Sequence, residues 1–274
     1  MTVVACLKWV DRRAGADPLT GEVRTDPRTS GASAADDAAL EWALRFGEAR
    51  GEPVVAVTAG AAAADAVLHG ALAAGAASAV RAELAPDRPS AEVATALVAA
   101  LRAVDVAPSL VLCGVWSLDR GSGSVPAFLA AELGCAQALG LVTLEVGDGP
   151  ILAERRLDRG WRERVRVPRP AVCSVEAASA RLRRASLPGV LRGAASAVTV
   201  VRSGRPGPPL GPAVLRPYRP RARELPAPAA AAARERILAL TGILTDRDPP
   251  QTLVLDPPAA ADALLAKLEV WGYR

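Results

Sequence analysis

The residues best suited to chemistry lie in the run LVLCGVWSLDRGSGSVPAFLAAELG, residues 110–134. An apolar stretch ends at Gly114, a polar loop carries Asp119, Arg120, Gly121, Ser122, Gly123 and Ser124, and a helical pattern opens near Val125. A strand, a Gly/Ser loop and a helix N-terminus together form an anion site, because backbone N–H groups converge there and the helix dipole favours phosphate. Gly121 and Gly123 permit close approach, and Ser122 and Ser124 add hydroxyl donors. The spacing is neither GxGxxG nor a P-loop, since no lysine follows the glycines, so an ordinary glycine turn is the competing reading.

Other chemistry is sparse. Neither a GxSxG elbow nor a cluster of carboxylates at metal or acid/base spacing is present. The cysteines Cys6, Cys113, Cys135 and Cys173 form no CxxC pair, and most sit in apolar runs, which points to buried reduced thiols. The single histidine, His69, falls on an alanine-rich helical pattern and reads as structural. Asp36 and Asp37 stand where a helix begins and suit a capping role. A binding function is favoured over self-contained catalysis.

The elements that must position these residues alternate. Apolar runs at Val3–Val10, Pro53–Thr58, Ser78–Leu84 and Leu110–Gly114 are separated by helical patterns at Ser33–Arg50, Ala61–Ala74 and Ser90–Val104, with another at Val125–Leu133. This change of period predicts βαβ units and a doubly wound parallel α/β sheet. In such sheets ligands bind beyond the carboxyl ends of the strands, which adds Lys8, Asp11 and Thr58-Ala59-Gly60 to the candidate site. Residues 11–32 read as a long loop or small hairpin. From about residue 139 to 178 shorter runs predict added antiparallel strands, with a hairpin near Asp158–Gly160. A nucleotide-binding α/β domain is expected over 1–195, followed over 196–274 by a proline-rich C-terminal arm with a helix candidate at 229–240 and a terminal helix at 257–271.

Composition sets outer limits. An apolar fraction of 51% over 274 residues can fill a sizeable core. The start MTVVACLKWVDRR lacks the form of a signal peptide and no apolar run approaches a membrane span, so a cytoplasmic protein without membrane insertion is expected. Residues 155–223 hold 17 Arg against Asp158, Glu163 and Glu176. Nucleic acid is disfavoured, since only Trp161 and Tyr218 provide aromatic rings in that segment; an acidic protein partner or a solvated surface fits better.

The phrases ACLKWV, ALEWALRFGE, VVAVTAG, ALAAGAASAV, LVLCG…DRGSGSVPAFLAAELG, ERRLDRG, VPRPAVCSVE, RRASLPGVL and LLAKLEVWGYR, in this order, resemble the electron transfer flavoprotein beta-subunit family. The resemblance implies a sheet of the adenine-nucleotide alpha-hydrolase-like (HUP) type and a heterodimer with an alpha subunit that carries most of the FAD. It also implies a structural AMP site in this chain, or a second FAD there, with a flavin dehydrogenase as electron donor and a quinone oxidoreductase or other acceptor. By motif, the nucleotide site would comprise Cys6, Ala35, Asp36, Ala59 and Gly114 through Ser124. The segment Arg183–Gly193 matches the family's partner-recognition loop, with Leu187 as apolar anchor beside Arg184 and Pro188; a core leucine is the competing reading. The loop Asp119–Ser124 is shorter than in many relatives, Ala35 and Arg13 stand where some relatives place aromatic residues near the flavin, and Arg156 lies where some have a glutamate. The KWV, EWAL and LLAKLEVWGY phrases suggest the branch associated with mycofactocin systems. The alternative class is a stand-alone adenine-nucleotide-binding protein of the universal-stress type.

Overall fold

The structure, a computed structural model, describes residues 1–147, 149–202, 227–228, 230–241 and 252–271. The chain divides into two units, Met1–Tyr218 and Arg219–Arg274.

In the first unit, apolar runs buried on both faces become the parallel strands β1 (Thr2–Cys6), β6 (Val54–Gly60), β7 (Ser78–Glu83), β8 (Pro108–Gly114) and β12 (Ala171–Val175), with β13 (Thr199–Arg202) at one edge. Three strands with more polar alternation, β9 (Ala136–Glu145), β10 (Ile151–Arg156) and β11 (Arg162–Val167), extend the other edge, β10 running antiparallel to both neighbours. The order is β11-β10-β9-β12-β8-β1-β6-β7-β13. The chain moves outward from β1 through β6 and β7, then returns to place β8 on β1's other side. Residues 11–32 form two small ladders, β2 (Val10–Asp11) with β5 (Ser30–Gly31) and β3 (Gly15–Ala16) with β4 (Val23–Arg24). Asp11 ties this region together by accepting from the Asp26 backbone N–H at 2.7 Å and the Thr29 hydroxyl at 2.5 Å.

Side chains alternate along each strand and build two cores. Val3, Ala5, Leu110 and Leu112 face α1 (Ala34–Arg50) and α2 (Asp65–Ala74), whereas Val4, Cys6, Val111 and Cys113 face α3 (Ser90–Ala103) and α4 (Val125–Leu133). This is the doubly wound α/β arrangement expected from the alternating periods. At the amino ends of the strands Arg169 grips both oxygens of Glu52 at 2.6 and 2.7 Å.

Strand β13 lies beyond residue 195, where its Thr-Val-Val run suits a pleated edge, and pairs with β7. The phrases SGRPGPPLGP and PYRPRARELPAP lie outside the described residues, apart from Ala227 and Pro228. In the second unit, α6 covers Ala233–Thr241 and α7 Pro257–Val270; the Asp256 carboxylate caps α7 by accepting from Ala259 N at 3.0 Å.

Among the described residues, several arginines of 155–202 are answered by carboxylates from other parts of the chain. Arg164 pairs with Glu145 and Glu154, Arg169 with Glu52, Arg183 with Glu41 and Glu48, and Arg202 with Glu83. These pairs break up the positive charge of the described part, residues 155–202.

Helix α5 (Leu187–Ala195) packs on α2 through glycine. A Cβ on Gly193 would stand 2.8 Å from both Ala73 N and His69 O, and one on Gly189 would stand 2.6 Å from Ala73 O. His69 Nδ1 donates to the Gly193 carbonyl at 2.9 Å, which gives the histidine a structural role. Since backbone atoms cannot yield as a flexible side chain does, Gly193→Ala should destabilise the protein by about 1–3 kcal/mol. Gly70, also helical, has open space where its Cβ would be. Gly70→Ala should therefore stabilise by about 0.5–1 kcal/mol. Denaturant unfolding of the two variants checks these opposite signs.

Candidate functional site

The order of the sheet creates a crevice where the connections from β1 and β8 leave in opposite directions, one to α1 and the other to α4. A cavity of about 480 Å³ occupies this crevice at the carboxyl ends of β1, β6, β7 and β8. That size suits a small-molecule or cofactor site.

Each wall has a local cause. Ser33 ends the extended approach to α1 and caps it: its hydroxyl accepts from Asp36 N at 3.1 Å, and the Asp36 carboxyl accepts in return from Ser33 N at 3.4 Å. The same carboxyl accepts from Lys8 N at 3.3 Å, which joins α1 to the end of β1. Gly114 allows this seam, since a Cβ there would lie 2.6 Å from Asp36 Oδ1 and 3.1 Å from Ala35 Cβ. Burial pushes the Asp36 carboxyl up to about 6, against the hydrogen bonds from Ser33 and Lys8. Asp36 thus caps as expected and also forms part of the cavity wall.

The Gly/Ser loop forms another wall. Gly121 and Gly123 both have positive φ, at 63° and 60°, and a Cβ on Gly123 would meet Val115 O at 2.8 Å. The loop is clasped to β1 by Lys8, whose ammonium donates to both Asp119 oxygens at 2.7 and 2.6 Å. Burial raises the Asp119 carboxyl, but Ser117 and the Lys8 ammonium outweigh it and hold the group below the usual range. Ser122 Oγ lies 3.1 Å from Ser124 Oγ and 3.4 Å from Ser90 Oγ at the start of α3. No side chain caps α4, and none of the backbone N–H groups of Ser122, Gly123, Ser124 and Val125 donates to another described residue. All four of these residues line the cavity, a donor set that fits a phosphate group.

The expected residues Cys6, Asp36, Ala59, Gly114, Asp119, Arg120, Ser122, Gly123 and Ser124 therefore converge on one cavity. Ala35 packs behind the wall against Gly114, and Gly121 serves the turn, donating its N–H to Ser117 O at 2.9 Å. Sequence reasoning missed the loop after β7, with Pro86, Asp87 and Arg88, and also Trp9, all of which line the cavity, as does Trp116 within the expected span Gly114 through Ser124. The LAPDRPS run that follows β7 carried the same strand-end signal that led to Gly114. Among the described residues no cluster of ligating side chains suits a metal ion. No helix among them is long and apolar enough to cross a membrane.

Leu187, Arg184 and Pro188 lie apart from the cavity, and all three are exposed. Leu187 is 71% exposed, so it is not a core leucine; Val190 and Leu191 of the same helix are exposed as well.

A buried carboxyl whose folded value is raised contributes its stabilisation fully below its unfolded value, and loses it as pH rises through about 6. Relative to Asp36→Asn, the parent protein should therefore gain on the order of 3 kcal/mol between pH 7 and pH 4. Urea unfolding of both proteins across that range measures the difference.

The model of the electron transfer flavoprotein domain matches residues 26–203, a span from the approach to α1 through the cavity loop and α5 to β13. No curated protein is significantly similar to the chain. The match covers well over half of the sequence and the whole cavity-forming region except the end of β1, and on that ground the chain belongs to the electron transfer flavoprotein family.

Proposed function

We propose that this chain is the beta subunit of an electron transfer flavoprotein, holding AMP in the cavity at the ends of β1 and β8 and pairing with an alpha subunit. The single observation that carries the nucleotide reading is the row of backbone N–H groups from Ser122 to Val125, at the uncapped start of α4 on the cavity wall, with no acceptor among the described residues. The serine hydroxyls and Arg120 supplement that row for a phosphate group, while the apolar surfaces of Val93, Leu97 and Trp116 suit a base. Asp36 and the Lys8–Asp119 clasp hold the cradle in shape before a ligand arrives.

Electron transfer flavoproteins work with partner subunits and dehydrogenases. In the heterodimer the FAD supplies the redox chemistry; this chain supports the complex and presents a surface to the electron donor. The outward apolar side of α5, led by Leu187, suits that second task because a leucine inserted into a partner's pocket buries area without locking the complex. A flavin dehydrogenase is the proposed donor, and a quinone oxidoreductase or other carrier the acceptor, with the complex acting in the cytoplasm. The KWV and EWAL phrases favour a mycofactocin-associated system.

Co-expression with an alpha subunit should yield a yellow heterodimer that releases FAD and AMP on denaturation. ATP released from a colourless homodimer would replace this reading with the universal-stress type. Gly123→Val, which has no room for its side chain, should reduce AMP content at least tenfold, measured by chromatography of the extracted nucleotide. Leu187→Ala should leave both cofactors bound and raise the dehydrogenase KM by roughly tenfold, the loss of about 1.4 kcal/mol.

A further inference from the structure

Between β12 and α5 the chain crosses residues 176–186 with only a single 3-10 turn, Ala177–Ser179, and no helix or strand. Such a connection would ordinarily be loose. Instead it is gripped by the face of α1 that carries Glu41, Arg45 and Glu48, with Trp42 beside them. Trp42 Nε1 donates to Ser179 Oγ at 3.1 Å. Arg183 donates to Glu41 Oε2 from both its backbone N and its Nε, each at 3.0 Å, and its Nη2 reaches Glu41 Oε1 at 3.3 Å. The same guanidinium donates to Glu48, from Nη2 at 3.0 Å and also from Nη1. Shortly after this clamp, Ser186 caps α5 by accepting from Gly189 N at 3.2 Å, and Leu187 begins the outward face.

The energetics point to geometry rather than bulk stability. Glu41 is only 5% exposed. Burial raises its carboxyl, and hydrogen bonds from Arg183 and Arg45 outweigh that and hold it low. Burying a carboxylate and its cations adds little net stability over an apolar replacement, because desolvation cancels much of the attraction. What the arrangement supplies is direction: a guanidinium fork bound to two carboxylates, with its own backbone N–H on one of them, fixes both position and orientation. Glycine packing of Gly189 and Gly193 holds one face of the helix against α2 from its first turn onward, and the clamp fixes the path of the chain that enters it.

We propose that Arg183, held between Glu41 and Glu48, is a positioning residue for partner docking: it fixes the start of α5 and hence the presentation of Leu187 without itself touching the partner. This rests on the reading of α5 as the partner-docking helix. A lysine cannot reproduce the fork, so Arg183→Lys should behave as a loss, as should the milder Glu48→Gln, which leaves the buried Glu41 contact in place.

The test uses the full chain in its heterodimer, with a nitroxide spin label on Leu187→Cys for motion and the unlabelled complex for reduction by its flavin dehydrogenase. In Arg183→Lys and Glu48→Gln the label's rotational correlation time should shorten about threefold, and the KM for the dehydrogenase should rise about fivefold with kcat unchanged. Arg202→Gln, which removes an exposed pair on the edge strand β13, should change neither. Unchanged label motion in both variants would overturn the proposal, as would a KM rise that appears only when global unfolding is also advanced. Faster label motion with an unchanged KM also overturns it, provided Leu187→Ala raises the KM. If Leu187→Ala leaves the KM untouched, the docking reading itself fails and takes the proposal with it.

Discussion

The structure depends on the seam between the N-terminus of α1 and the ends of β1 and β8. Asp36 must satisfy the backbone of Ser33 and Lys8 from a buried position, and Gly114 must leave its side-chain space empty for the helix to come so close. These constraints support each other. A Cβ at Gly114 would displace the carboxyl, and without the carboxyl the N–H groups of Ser33 and Lys8 would lose the acceptor that joins helix to strand. The crevice, the direction of Lys8 and the anchorage of the Asp119 loop all follow from that contact.

From the seam, α1 extends its influence along its length. Its first turn shapes the cavity, its apolar side fills one of the two cores, and the stripe of Glu41, Arg45 and Glu48 grips the approach to α5. Helix α5 is inverted relative to an ordinary surface helix, with glycine against its neighbour and Leu187, Val190 and Leu191 outward. Normal amphipathicity places apolar side chains inward. Here close backbone packing on α2 secures the helix, and its apolar side chains are left exposed.

Much of the architecture was legible because its signal is local. Change of hydrophobic period revealed the order of strands and helices, and α4 begins and ends at Val125 and Leu133 as its pattern predicts. The Gly/Ser loop was legible because positive φ and close approach select glycine. Ambiguity arose where one residue type serves different ends: Leu187 before a proline can fit a core as well as an exposed face, and its exposure removes the core reading.

By itself, then, the sequence determined the alternating elements and the glycine turn at the end of β8, since each depends on residues close together in the chain. Only the tertiary structure decided what lies across from them. It brought Asp87 and Arg88 to the cavity, matched Arg183 and Arg169 with carboxylates as remote as Glu41 and Glu52, and set the glycines of α5 on α2. Those pairings join residues separated by many tens of positions, and the periodicity of a segment carries no information about which distant partner its charge or its empty space will meet.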